Sequence, residues 1–296
     1  MDNREKIGKQ IKDLRNFFNI TQKELCEGIC TQAYISKVEN GSIAISSDLL
    51  YQIADRLGID INYLYDSSSI SRIDYVEEVL IQARELVDSQ NYQGLYYLIK
   101  SEAKSPLVSN KRFKQFILWH QSICERHINN NHSKAIELIE EALSLSSTSR
   151  KTKSEREIEI LISKANLFLE LEQYQKALII YKDSHDSLIK LPIHNNIKLQ
   201  PRLYYNWARA HYLESSYTES IAICKRGISY CQKKQIMYGL GQLYFLLGRC
   251  LTETKSINEA LHNFNYAKTI FQITDKKIQL EKVEEQLIQL RTVKNN

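Results

Sequence analysis

The chain has 296 residues, 43% hydrophobic and 25% charged, the balance of a soluble globular protein. Three prolines and nine glycines, set against abundant Leu, Ile, Lys, Glu and Gln, favour helix nearly throughout. No run of 18 apolar residues is present, and the start, MDNREKIGKQ, lacks the apolar core of a signal peptide, so the chain is expected in the cytoplasm.

The net charge of +5 is unevenly placed: residues 1–66 hold eight Lys and Arg against ten Asp and Glu, a balance of −2, and the remainder carries +7. The six cysteines form no CxxC pair and lie on apolar helix faces; they read as reduced core thiols or as a metal or redox site. There is no HExxH, no Gly-rich phosphate loop and no GxSxG. No catalytic constellation follows, so the chain is expected to be no enzyme and to need neither metal nor cofactor.

The expected fold class is all-α. Ile7, Ile11, Leu14 and Phe18 recur at helical spacing and predict a first helix. Thr21, with Glu24 three residues on, is a capping box for a second helix that turns Leu25, Cys26 and Ile29 inward. Gly28 helps the chain turn. Thr31 caps a third helix carrying Ile35 and Val38, closed by Asn40-Gly41. Ser47 is expected to cap a fourth, with Leu49, Leu50, Ile53, Ala54 and Leu57 inside and Gly58 after it. A short fifth helix holds Ile61, Tyr63 and Leu64. These five helices make a domain over 1–66, with a linker at 67–73.

Beyond the linker lies a repeat, expected over 74–274. Ala83, Ile123, Ala165, Ala208 and Gly248 align at spacings of 40, 42, 43 and 40 residues. Twelve residues after each come Leu95, Ala135, Ala177, Ser220 and Ala260, and four further on Ile99, Ile139, Tyr181, Cys224 and Phe264. Tyr92, Tyr174 and Tyr217 stand three before the second marker. Each unit reads as two antiparallel helices whose crossing needs small residues. The pattern resembles a lengthened, degenerate tetratricopeptide repeat, five units of which stack into a superhelix with a concave binding face. Residues 275–296 hold a last amphipathic helix with Leu280, Val283, Leu287 and Leu290 on one side, a cap on the last repeat or a coiled-coil seam.

Two capped helices and a short turn over 21–41 fit a helix-turn-helix, whose second helix enters the DNA major groove. Gln32, early in that helix beside its cap Thr31, can bond adenine N6 and N7 together, and Ala33 can meet a thymine methyl. Ser36 and Lys37 lie one turn on. Gln22 and Asn40 are placed for phosphates, setting register without reading sequence. A plain bundle with exposed polar residues is the competing reading.

The segment resembles the DNA-binding domain of the phage-repressor, or Xre, family through Thr21-Gln22, Glu24-Leu25, Ile35-Ser36-Lys37-Val38 and Glu39-Asn40-Gly41. It departs from that pattern in its turn, here the shorter GIC. The resemblance implies that Arg15 pairs with Glu39 beneath the surface. Over its whole length, with TQKELCEGIC, YNWARAHYLESSY and GQLYFLLGRCL as the stretches that carry it, the chain resembles the quorum-sensing receptors of the Rap–Rgg–NprR–PlcR–PrgX family. That resemblance implies a homodimeric regulator of DNA operators, switched by a short re-imported signalling peptide in the concave groove. The alternative is a repressor whose repeats dock a protein partner.

Concave positions lie two before, one after and four after each first marker. They select Ile81, Arg84 and Asp88; Gln121, Cys124 and Ile128; Ser163, Asn166 and Glu170; Asn206, Arg209 and Leu213; Leu246, Arg249 and Glu253. Gln242 lies two turns before Arg249. An Asn or Gln amide satisfies one N–H and one C=O of an extended peptide, and an Arg can fork onto its terminal carboxylate. Tyr205 can flank a side-chain pocket. The candidate peptide contacts are therefore Arg84, Gln121, Asn166, Tyr205, Asn206, Arg209, Gln242 and Arg249, with Asn206 and Gln242 singled out by the family resemblance. Solvated polar groove residues are the plainer reading of each.

Overall fold

The computed structural model describes residues 3–59, 61, 64, 73–146, 153–192 and 196–295. Among these, all regular structure is helical. The chain divides into two compact units, Met1–Asp88 and Ser89–Asn296.

The first unit holds α1 (Asn3–Phe17), α2 (Gln22–Cys26), α3 (Gln32–Glu39), α4 (Ser47–Leu57) and α5 (Ile73–Asp88). Its core is the apolar set that the spacing predicts: Ile11, Leu25, Ile35, Leu50, Ile53 and Leu64 are fully buried. Each such side chain contributes about 1.5–3 kcal/mol. Gly8 lets α1 cross α3 closely, since a Cβ there would stand 1.9 Å from the Val38 carbonyl oxygen. The capping box is formed as expected. Thr21 Oγ1 accepts from Glu24 N at 3.2 Å, and the Glu24 carboxylate accepts from Thr21 N at 2.7 Å.

Two expectations shift. α4 is capped by Ser46, which accepts from Leu49 N at 3.4 Å, so Ser47 is the first helical residue rather than the cap. α1 ends at Phe17, the chain reverses at Asn19 with φ 57°, and Phe18 is left 44% exposed instead of inside. Of the expected fifth helix only Ile61 and Leu64 are described, and the linker lies outside the described residues except for Ile73.

The second unit is a stack of helical hairpins. α6 (Tyr92–Glu102) packs on α7 (Lys111–His127), which pairs with α8 (His132–Ser144). Three more hairpins follow: α9 (Glu155–Glu170) with α10 (Tyr174–Leu188), α11 (Leu199–Leu213) with α12 (Tyr217–Lys234), and α13 (Leu240–Glu253) with α14 (Ile257–Ile273). α15 (Lys277–Asn295) closes the stack against α14. The repeat markers sit at the crossings: Ala135, Ala177, Ser220 and Ala260 are fully buried, as are Ile139, Tyr181, Cys224 and Phe264. At Gly248 a Cβ would lie 2.8 Å from the Phe264 ring, so only hydrogen allows that approach.

The backbone shows the same period. Gln90, Asn130, Glu172, Ser215 and Lys255 all have φ between 50° and 63°, each at the turn inside a repeat. A left-handed residue there lets the helix close on itself, Gln173 N bonding Phe168 O at 2.8 Å and Ser256 N bonding Leu251 O at 2.8 Å. The last helix is a cap: Val283, Leu287 and Leu290 are buried in the core of the final repeats. Its heptad face is spent on its own chain.

Candidate DNA-reading helix and ligand groove

In the first unit α3 presents Gln32, Ala33 and Lys37 to solvent, with Ser36 half-buried between them. Thr31 uses its hydroxyl oxygen to cap Tyr34 N at 3.2 Å. Asn40 is exposed just past the helix. The turn from α2 to α3 spans residues 27–31, with Gly28 at φ +72°. Arg56 ties that turn down by donating to Glu24 O at 2.8 Å and Glu27 O at 3.0 Å.

α3 is braced from behind. Glu39 accepts from Arg15 Nε at 2.6 Å and from a second guanidinium nitrogen at 3.0 Å. The third, Arg15 Nη1, donates to Ile20 O at 3.0 Å. The two side chains are 13% and 1% exposed, so the expected pair lies below the surface. Gln22 joins it, its amide nitrogen donating to Glu39 at 2.8 Å. One N–H of Gln22 thus goes inward, and the second is the donor left for an outside group. Gln22 therefore links the start of α2 to the end of α3, a structural role that reading it as a phosphate contact alone misses.

In the second unit three of the candidate groove residues come together. Tyr205, Gln242 and Arg249 line a cavity of about 470 Å³ between α11, α13 and α15. Tyr212, Phe245 and Phe271 add aromatic wall, and Gln279, Lys282, Glu285 and Gln286 close it from the last helix. Arg249 is held flat: its guanidinium carbon lies 4.4 Å from the Tyr212 ring centroid, and it donates to the Tyr212 hydroxyl at 3.0 Å. That hydroxyl donates to Glu253 at 3.2 Å, fixing the acid beside the base. Burial pushes the Tyr205 hydroxyl upward in pKa, with Arg209 and Arg249 opposing it, so Tyr205 stays a neutral donor.

The other candidates lie outside this cavity. Asn166 is half-buried and accepts from the Tyr181 hydroxyl at 2.6 Å, leaving its NH2 for a ligand. Gln121 and Asn206 are half-buried and Arg209 is exposed. Arg84 is exposed on α5 of the first unit. Two of the concave positions are core instead: Leu246 is 3% exposed and Cys124 4%. Glu170 is tied to Arg126 by a two-point ion pair bridging α7 to α9, with His132 3.4 Å away. The contribution of α15 was not legible, because its apolar seam marks it as a cap and its polar face has no distinguishing motif.

Five of the six cysteines are buried core groups, and Cys30 is half-buried. Burial pushes the Cys124 thiol up to about 12 and Cys231 to about 11, which suppresses the reactive thiolate. Among the described residues all six are free, no cluster of His, Cys, Asp and Glu could hold a metal ion, and no helix is long and apolar enough to cross a membrane.

Comparison with known proteins agrees with both halves of the chain. Residues 11–64 match a helix-turn-helix model and residues 81–288 the RNPP family C-terminal domain. No curated protein sequence matches the chain. Among solved structures, the chain is similar to Bacillus thuringiensis PlcR in complex with the peptide PapR7 and DNA. It is 26% identical, covers 94% of this chain and 99% of that one, and has a TM-score of 0.84. The apo form of the same protein gives 24% identity, coverage of 96% and 98%, and a TM-score of 0.66. ComR from S. thermophilus, in complex with DNA and its signalling peptide ComS, shares the fold at 14% identity, coverage of 96% and 99%, and a TM-score of 0.62. With most of its length matched by the family's own domain behind a helix-turn-helix bundle, the chain belongs to the RNPP family.

Proposed function

We propose that the chain is a cytoplasmic transcription regulator whose grip on DNA answers to a short signalling peptide held by its repeats. The observation that carries this reading is the cavity of Tyr205, Gln242 and Arg249, an aromatic flank, an amide and a fixed guanidinium around about 470 Å³. That set matches an extended peptide: the amide pairs with its backbone, the guanidinium forks onto a carboxylate, and Phe245 and Phe271 bury an apolar side chain. Asn166, Asn206 and Arg209 extend the polar row along the inner helices, with Gln121 toward its start; Arg84 is a further candidate contact, carried by α5 of the first unit. The PlcR complex with PapR7 and DNA supports the same pair of ligands here.

On this reading residues 1–66 read DNA, 74–274 bind peptide and 275–296 cap the stack. Gln32 and Ala33 contact base edges; Thr31, Ser36 and Lys37 flank them; Gln22 and Asn40 hold phosphates. One such module touches too little DNA to bind tightly, so the regulator is a homodimer on a palindromic operator. The test is calorimetry on the full chain with the C-terminal peptide of a short reading frame beside its gene. Gln242→Ala and Arg249→Ala should each weaken binding about tenfold or more. Normal binding by both variants would remove the cavity from the proposal.

A further inference from the structure

The inner helices α9, α11 and α13 carry Asn166, Arg209 and Arg249 at the same place, one residue past their small markers Ala165, Ala208 and Gly248. Each of these helices packs on the next, so the three positions form one row. The two cations in it are not held alike. Arg249 is stacked on Tyr212 and bonded to its hydroxyl, which donates to Glu253, so that cation has an acid on its own helix. Arg209 is exposed and makes no ion pair or hydrogen bond among the described residues.

The surroundings of Arg209 hold a surplus of positive charge. On the α9 side, Asn166 Oδ1 is taken by the Tyr181 hydroxyl at 2.6 Å, which leaves the amide NH2 unspent. Burial pushes the Tyr181 hydroxyl up in pKa; Arg209 and Arg126 oppose that shift and Glu170 reinforces it, so these three charges lie around the hydroxyl that holds Asn166. On the α11 side, Arg209 acts on the Tyr205 hydroxyl together with Arg249. Glu170 is already committed. It accepts from Arg126 Nε at 2.6 Å and from a second nitrogen of the same guanidinium, with His132 3.4 Å away. His127, lowered to about 4 chiefly by burial, adds no charge near neutral pH. One carboxylate thus answers two guanidinium groups, and the unanswered one is Arg209.

We infer that the step of the groove between Asn166 and Arg209 is a carboxylate subsite, filled by an acidic group of the bound peptide. The subsite rests on the peptide reading above and narrows the class of peptide. An ionised carboxylate only accepts, and here it meets the Asn166 NH2 and the Arg209 fork, which only donate. It also cancels the surplus charge. A lysine there would face two guanidinium groups, and an apolar side chain would cover Arg209 without pairing it. Packed helices lie about 8–10 Å apart and an extended chain advances about 3.3 Å per residue, so the acid stands about three or four residues from the group held at Arg249.

The test uses the full chain and fluorescein-labelled octapeptide libraries, random except for one position fixed in turn as Asp, Asn or Lys, each made as free acid and as C-terminal amide. Anisotropy reads binding, and Gln242→Ala checks that binding is in the groove. Asp at one internal position should bind about tenfold tighter than Asn, and Lys more weakly than Asn. Arg209→Gln should erase the preference for Asp, and Arg209→Glu should turn it toward Lys. Glu170→Gln should strengthen that preference by about threefold, a gain that a merely structural residue would not give. Circular dichroism checks that the variants fold, and the comparison of Asp with Asn on wild type needs no variant. If the free acid outbinds the amide and Arg209→Gln erases that difference instead, the carboxylate is the peptide's own terminus and the subsite stands. Equal binding of Asp and Asn peptides, with no effect of Arg209→Gln on the acid and amide forms, overturns the subsite; a loss on Gln242→Ala in the same experiment leaves the peptide reading intact. A preference for Asp that survives Arg209→Gln also overturns the subsite. No binding, or binding indifferent to Gln242→Ala, overturns the subsite and the peptide reading together.

Discussion

Replacing Arg15 by Met tests the brace behind α3. The perturbation removes both guanidinium bonds to Glu39, at 2.6 and 3.0 Å, and leaves a carboxylate 1% exposed with only the Gln22 amide at 2.8 Å. Breaking a buried pair costs about 3–5 kcal/mol, and the 13% exposure of Arg15 admits some water, which places the loss near ~3 kcal/mol. In a unit of this size each kcal/mol moves the melting temperature by about 4–8 °C, so the front unit should melt roughly 12–24 °C lower. Lys12→Met, on the exposed face of α1, is the matched control and should move it little. Thermal unfolding by circular dichroism, with hydrogen exchange on the α3 amides, reads the effect. The double variant Arg15→Met with Glu39→Met buries no lone charge and should recover most of the loss. If Arg15→Met and Lys12→Met melt alike, the pair is solvated and the brace contributes nothing.

Other outcomes follow from the same geometry. Gln32→Ala should cost about 1–3 kcal/mol of operator binding and relax one base position per half-site, read by titrating single-base operator variants; an unchanged preference removes α3 from the groove. With −2 over residues 1–66, few phosphates are neutralised per module, so operator affinity should fall only shallowly with salt. A logarithmic slope near −10 would contradict that. His127 stacks on Tyr92 with centroids 3.7 Å apart, and burial, aided by Arg126, lowers its pKa to about 4. The unfolded imidazole takes a proton below about 6.5, so its share of stability is complete above that pH and is lost as pH falls toward 4. The exposed ring edge moderates the loss. His127→Phe should flatten part of the melting-temperature slope across that window, and superimposable curves would refute the reasoning.

Much of the fold was legible in the sequence because it rests on period and size. The markers at Ala135, Ala177, Ser220 and Ala260 are small because helices cross there, and crossing leaves no room for anything larger. The caps at Thr21 and Thr31 were legible because hydroxyls at helix starts have one main use. What escaped depends on rotation and on three-dimensional closure. A helical offset of two before or one after put Leu246 and Cys124 in the groove, yet both are core, because a fixed offset from a marker does not say how each helix is turned against its neighbours. The left-handed turn residues at Glu172, Ser215 and Lys255 share no residue type, so no letter pattern announces them. Gln279, Lys282 and Gln286 reach the cavity only because α15 folds back on α14 and beside α13, a contact between segments that sequence spacing does not encode.

The most direct test of the account is the operator affinity of the full chain with and without saturating signalling peptide. A labelled operator followed by fluorescence anisotropy gives both values. A peptide that prefers one arrangement of the proposed dimer must change that affinity by its differential binding energy, and a coupling of about 1–3 kcal/mol corresponds to roughly 5–150-fold. Asn206→Ala should keep the peptide-free affinity and need more peptide to reach the same change. The account predicts a shift within that range, displaced to higher peptide in the variant. Saturation by peptide with no change in operator affinity would contradict it.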